Sequence, residues 1–160
     1  MKDYPFGAAI SAKQRKEVEQ LIIEAFGEHS WKYHSLETMD EDLQDELVAA
    51  HILFKPEDKF QKAAGLKRKW PEGRGFYMSK AETFKAWVNE EDHLQLFAMD
   101  KSGDITEAFR IVTEALEEVE KHLDFSYDDN LGYLTSCPTN IGTGMQASFQ
   151  VYLPNMAKDE

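Results

Sequence analysis

The sequence of 160 residues predicts an α+β fold, an antiparallel β-sheet flanked by helices, in a single domain over residues 1–160. Three observations lead there. Phe84-Lys85-Ala86-Trp87-Val88 and His93-Leu94-Gln95-Leu96-Phe97 both alternate apolar and polar residues, and the short connection Asn89–Asp92 makes them a hairpin. Helical periodicity occurs in separate stretches before and after this hairpin. Two more strand-like segments follow, near Leu131–Thr135 and Ala147–Leu153.

The elements can be taken in chain order. Ser11 and Gln14 have capping-box spacing, and Val18, Leu21, Ile22 and Ala25 share one face, so a helix is expected from Ser11 to about Phe26, stopped by Gly27. Residues 28–40, with Trp31, Tyr33 and His34, show no period and read as irregular. Asp40 caps a second helix, expected over 41–53, with Leu43, Leu47 and Ala50 on one side. Pro56 opens a short helix to about Ala64. Trp70-Pro71-Glu72-Gly73-Arg74-Gly75 reads as a turn or loop. The longest helix is expected over 104–123, where Ile105, Phe109, Val112, Leu116, Val119 and Leu123 recur in steps of four and three behind an Asp104 cap.

Composition narrows the function. Eighteen Lys and Arg face thirty Asp and Glu, a formal charge of −12, which argues against sequence-independent nucleic-acid binding and against attraction to an anionic membrane. No stretch has the apolar length of a membrane span, and the first residues lack a signal-peptide core. Cys137 is the one cysteine, so one chain forms no internal disulfide, which fits a reducing compartment. The expected location is intracellular, in the cytoplasm. His29 and His34 are five apart, and neither a HExxH nor a paired-cysteine pattern occurs, so no metal site is expected.

Two segments carry the chemistry. In extended chain Glu91, His93 and Gln95 would share a face, and a carboxylate there could hold a cationic substrate or serve as a base; by composition alone the simpler reading of the run is an acidic hairpin turn in water. Cys137 precedes Pro138 in a loop of small residues with no positive neighbour in sequence, so by itself it reads as an inert small side chain rather than a reactive thiolate. His51 lies near a helix end, where capping or packing is the simpler role.

These motifs combine. Asn89-Glu90-Glu91-Asp92-His93-Leu94 resembles the NEEDHL signature of the phosphagen (guanidino) kinases, and Cys137-Pro138-Thr139-Asn140-Ile141-Gly142-Thr143 resembles that family's CPTNLGT loop. Tyr4-Pro5-Phe6, His51-Ile52-Leu53-Phe54-Lys55 and Trp70–Gly75 are also similar to family segments, in order, from about Tyr4 to Pro154. The resemblance implies part of the catalytic domain of enzymes that move phosphate between MgATP and a guanidino compound by positioning and electrostatic clamping. It implies that Glu91 binds the guanidinium and acts as base, that Cys137 contacts the guanidinium, and that His51 lies on the nucleotide side.

The pattern departs on the phosphate side. Gln95 and Gln146 stand where the family has arginines, and Gln150 where it often has a histidine near the adenine. On an expected strand Gln146, Ser148 and Gln150 would share one face. A charge-assisted phosphate contact contributes about 1.5–3 kcal/mol, and glutamine offers neither the charge nor the planar fork. The resemblance also implies arginine-bearing family segments beyond Met1 and Glu160, and a chain without them is expected to expose apolar surface and sheet edges. The resulting expectation is a degenerate phosphagen-kinase-like protein without catalytic activity and without a cofactor, acting as an interaction subunit with a protein partner or a second copy. The alternatives are an active ATP:guanidino phosphotransferase using MgATP/MgADP, or a module that binds a guanidino small molecule or an arginine side chain.

Overall fold

A computed structural model describes residues 1–27, 31–50, 52–54, 59–149 and 151–153. Four antiparallel strands form the central sheet in the order β1 (Lys32–Ser35), β2 (Gly75–Met78), β3 (Phe84–Val88), β4 (Leu94–Ala98). Helices α1 (Ala12–Phe26) and α4 (Ile105–Val119) pack on one face. The short helices α2 (Glu41–Ala49) and α3 (Lys59–Ala63) lie between β1 and β2 in sequence. The expected architecture of an antiparallel sheet with flanking helices is the one observed.

Alternation along β3 divides the core in two. Phe84, Ala86 and Val88 point one way and join Val18, Ile22, Ala25 and Phe26 of α1, Tyr77 of β2, and Ala115 and Val119 of α4. Trp87 points the other way, beside Phe76, Leu36, Leu53 and Phe54, and its indole N–H donates to the Ile52 carbonyl at 3.0 Å. Both faces of the sheet are therefore covered, one by α1 and α4 and one by apolar side chains of α2 and of the loops around it.

The helix starts follow the sequence. Ser11 Oγ accepts from Gln14 N at 3.2 Å while Gln14 Oε1 accepts from Ser11 N at 3.1 Å, the reciprocal pair that the spacing predicted. The Asp104 carboxylate accepts from Thr106 N at 2.9 Å.

Several expectations are corrected. Residues 32–35, read as irregular, form β1; Lys-Tyr-His-Ser carries no apolar alternation, and its strand state comes from pairing with β2. Gly75 begins that strand rather than ending a loop. A Cβ there would fall 2.2 Å from the Tyr33 hydroxyl, so the glycine admits the Tyr33 ring across the pair. Helix α2 ends at Ala49, not near residue 53, and Leu43 is exposed while Leu47 packs. Pro56, the expected start of the next helix, lies outside the described residues. Helix α4 ends at Val119, and its core stripe runs through Ile111, Ala115, Val119 and then Leu123, with Phe109 and Ile105 exposed. Ala115 and Val119 are the buried residues of the helix.

The late strands also differ. Two-residue strands β5 (Tyr127–Asp128) and β6 (Gly132–Tyr133) pair with each other. Residues 147–149 and 151–153, expected as a strand, belong to no sheet among the described residues. Alternating sequence makes a strand only where a neighbouring strand supplies the ladder.

Candidate functional site

The site grows from the turn that joins β3 to β4. Asn89 leaves β3 at φ +57, a left-handed conformation that asparagine tolerates better than most residues, and its N–H donates to the His93 carbonyl at 2.9 Å. Its side-chain amide then donates to Gly73 O at 2.7 Å and Arg15 O at 3.0 Å. Asn89 thus ties the turn to α1 and to the loop before β2.

Arginine side chains finish the anchoring from below. Arg74 is 1% exposed; it donates to Asn89 O at 3.0 Å and Leu66 O at 2.6 Å, with a longer bond to Glu72 O at 3.3 Å. Burial, with Arg15 nearby, pulls its pKa down to about 10. Arg15 Nη1 donates to Arg68 O, and Arg68 Nε to Gly65 O. All three guanidinium groups bind main-chain carbonyls.

The turn itself is held residue by residue. Glu90 is buried and pairs with buried Lys67 at 3.1 Å, and its second oxygen accepts from Glu91 N at 2.6 Å. His93 is 4% exposed, and its Nε2 lies 2.9 Å from Pro5 O. A carbonyl only accepts, so Nε2 carries the proton and Nδ1 accepts from Met1 N, also at 2.9 Å. Burial lowers the His93 pKa to about 4, so the ring is neutral at pH 7. Its Phe6 neighbour stacks with it at 6.2 Å between ring centres.

The Cys137 loop is bound to the same turn. Ser136 N donates to Asp92 Oδ1 at 2.7 Å, and Ser136 Oγ donates to Glu91 O at 2.9 Å. The residue next to Cys137 is therefore hydrogen-bonded to the main chain of Glu91, across 45 residues of sequence. Cys137 is half-buried, 2.9 Å from Thr139 Oγ1, and precedes a single helical turn, Pro138–Asn140. That turn is closed by paired bonds between Tyr133 and Gly142, at 2.9 and 3.1 Å. Gly132 permits it: at φ +79, a Cβ there would meet Gly142 O at 2.5 Å. Beside Glu91 lies a cavity of about 10 Å³, room for about one water, lined by Gly7, Arg74, Asp92 and His93 among others.

The structure thus ties the turn that carries Glu91 to the loop that carries Cys137, through Ser136. It separates others. Glu91, His93 and Gln95 do not share a strand face: Glu91 and His93 belong to the turn, and only Gln95 lies on β4, opposite Trp87. A tight turn rotates successive side chains, so strand alternation does not apply within it. Gln95 Oε1 is buried with no hydrogen-bond partner among the described residues. Gln146 is exposed beyond Gly144, and no strand face joins it to Ser148. His51 and Gln150 lie outside the described residues. The described residues contain no metal-binding group of His, Cys, Asp and Glu, and no helix long and apolar enough to cross a membrane.

Sequence reasoning missed Lys67, Arg74, Asn89 and Ser136 as builders of this site. Arg74 between two glycines and Asn89 at the end of an apolar strand carried a signal, since both mark backbone that another group must approach. Lys67, in the exposed-looking run Leu66-Lys67-Arg68-Lys69, carried none.

An antiparallel sheet whose β3–β4 turn is hydrogen-bonded to a cysteine-bearing loop is the architecture that the comparisons assign to a family. Residues 13–160 match the model of the family described as ATP:guanido phosphotransferase, C-terminal catalytic domain, and the chain belongs to that family. Arginine kinase of Polybetes pythagoricus is 44% identical over 100% of this chain and 46% of its own length. Arginine kinase of Limulus polyphemus is 40% identical over 99% of this chain and 46% of its own. The chain spans about half the length of the curated relatives it matches. Among solved structures, the duplicated taurocyamine kinase of Schistosoma mansoni with bound transition state analog components superposes with a TM-score of 0.84 at 35% identity, over 89% of this chain and 20% of that one. Lombricine kinase superposes at 0.82 with 28% identity, over 89% and 42%.

Proposed function

We propose that this chain recognises a guanidino group at Glu91 and Cys137 but does not by itself transfer phosphate efficiently, acting as a non-catalytic, partner-binding relative of the guanidino kinases. Gln95 carries the reading. It stands where the NEEDHL signature of the family continues into arginine, and its amide oxygen is buried without a partner among the described residues. A neutral amide supplies neither the charge nor the bidentate geometry that a phosphoryl group needs. The three arginines around the turn, Arg15, Arg68 and Arg74, are bound to main-chain carbonyls instead. The guanidino side differs: Ser136 bonds to both Glu91 and Asp92, which holds the carboxylate turn and the Cys137 loop as one unit.

Thermal unfolding with and without ligand tests this. L-Arginine at about 100 times its dissociation constant adds about 2.7 kcal/mol, a shift of several degrees, while MgADP produces none. Glu91→Gln removes the carboxylate charge and is expected to abolish the arginine shift without lowering the midpoint of the free protein by more than about 2 °C. A clear MgADP shift, or phosphoarginine formed from MgATP and arginine, would sink the non-catalytic reading.

The partner-binding part is supported by Phe149, Val151, Tyr152 and Leu153, which are each more than half exposed and belong to no sheet among the described residues. Light scattering over a wide concentration range is expected to show a dimer or larger species, or co-purification of a protein partner. A clean monomer with no partner counts against it.

A further inference from the structure

Lys67 and Glu90 form an ion pair sealed from water, with side chains 4% and 6% exposed and 3.1 Å between Nζ and Oε1. The Lys67 ammonium also lies 4.9 Å from the Phe54 ring centre and 5.2 Å from that of Trp70. Desolvating two charges is costly, and an apolar pair of the same volume would stabilise a core at least as well. What the charges give that an apolar pair cannot is a fixed carboxylate orientation. The oxygen of Glu90 not bound by Lys67 accepts the Glu91 N–H at 2.6 Å. On its far side the Glu91 peptide is held by Ser136 Oγ.

We propose that Lys67 is a positioning residue for Glu91: by pinning the Glu90 carboxylate, it fixes the main chain from which the Glu91 carboxylate projects, and so sets the affinity for a guanidinium ligand. The proposal rests on the reading of Glu91 as the guanidino-binding group. The geometry behind it is a relay of three residues in which the first never touches the ligand. Lys67 is fixed between two aromatic rings, Glu90 is fixed by Lys67, and the Glu91 amide is fixed by Glu90. A displacement of about 1 Å at a binding carboxylate is enough to cost a large factor in a well-oriented contact.

The test compares wild type with Lys67→Met by two readouts. The first is hydrogen exchange of the Glu91 amide, with the Ala86 amide of β3 as internal reference. The second is the dissociation constant for L-arginine by calorimetry. Exchange at Glu91 is expected to rise about tenfold with Ala86 unchanged, and arginine affinity to fall by about the same factor. If Lys67→Met does not fold, Lys67→Met/Glu90→Gln removes both buried charges and is expected to give the same two changes. Unchanged exchange at Glu91 in a folded variant overturns the proposal, and so does faster exchange with an unaltered arginine dissociation constant. If the wild type itself fails to bind arginine, the guanidino reading falls, and the exchange comparison still decides whether Lys67 positions Glu91.

Discussion

Arg74→Met is expected to destabilise the protein by about 4 kcal/mol, lowering the unfolding midpoint by about 10 °C. Four carbonyls, those of Leu66, Asn89, Glu72 and Arg68, lose a charged donor, and two of those bonds are 3.0 Å or shorter. Buried acceptors left without a donor each cost about 1–3 kcal/mol, partly relieved where the turn can open to water. That opening is the functional consequence, because Asn89 O is where the Glu91 turn begins. Arg74→Lys keeps the charge but not the fork, so it is expected to recover less than half of the loss. Calorimetric unfolding of wild type and both variants checks this. A midpoint within about 3 °C of wild type for Arg74→Met would show that the turn is held by other contacts.

Acid is expected to loosen the same turn from the other side. The folded His93 pKa of about 4 lies below the ordinary 6.5, with burial as the leading cause. The native state therefore favours the neutral ring, and the unfolded chain takes up a proton that the folded chain refuses. The stability that His93 confers is complete above about pH 6.5, declines as pH falls from there, and is lost below about pH 4. The difference corresponds to about 3 kcal/mol. A protonated ring would have to break the bond in which Nδ1 accepts from Met1 N. Urea unfolding at pH 7 and pH 4.5 measures this. His93→Gln is expected to flatten the pH dependence over that interval while carboxylates elsewhere titrate equally in both proteins. Identical pH slopes in the two proteins would remove His93 as the acid-sensitive group.

Both predictions concern supports of the site rather than the site itself, and the supports are what sequence reading could not see. The Ser11–Gln14 box, the Asp104 cap and the β3–β4 hairpin were legible because each is specified by residues within a few positions of one another. The candidate residues Glu91 and Cys137 were legible through a family motif. The meeting of their two loops was not, because it is made by Ser136 reaching back 45 residues to the Glu91 carbonyl.

Other elements were decided at longer range. Strand β1 has no strand pattern of its own and exists because β2 pairs with it. Residues 147–149 and 151–153 belong to a stretch with the pattern but are in no sheet among the described residues. The α4 stripe shifted from Phe109 and Val112 to Ile111 and Ala115 because approach to the sheet selects a small residue, and periodicity alone cannot choose between neighbouring faces. Lys67 looks in sequence like one of three solvated cations, and burial against Phe54, Trp70 and Glu90 makes it a core residue. Local hydrogen bonds and periodicity are written in consecutive residues, so the sequence by itself determined the helix caps, the hairpin and the family. Charge burial, strand pairing and the meeting of two loops depend on which surfaces come together, and only the tertiary structure decided those.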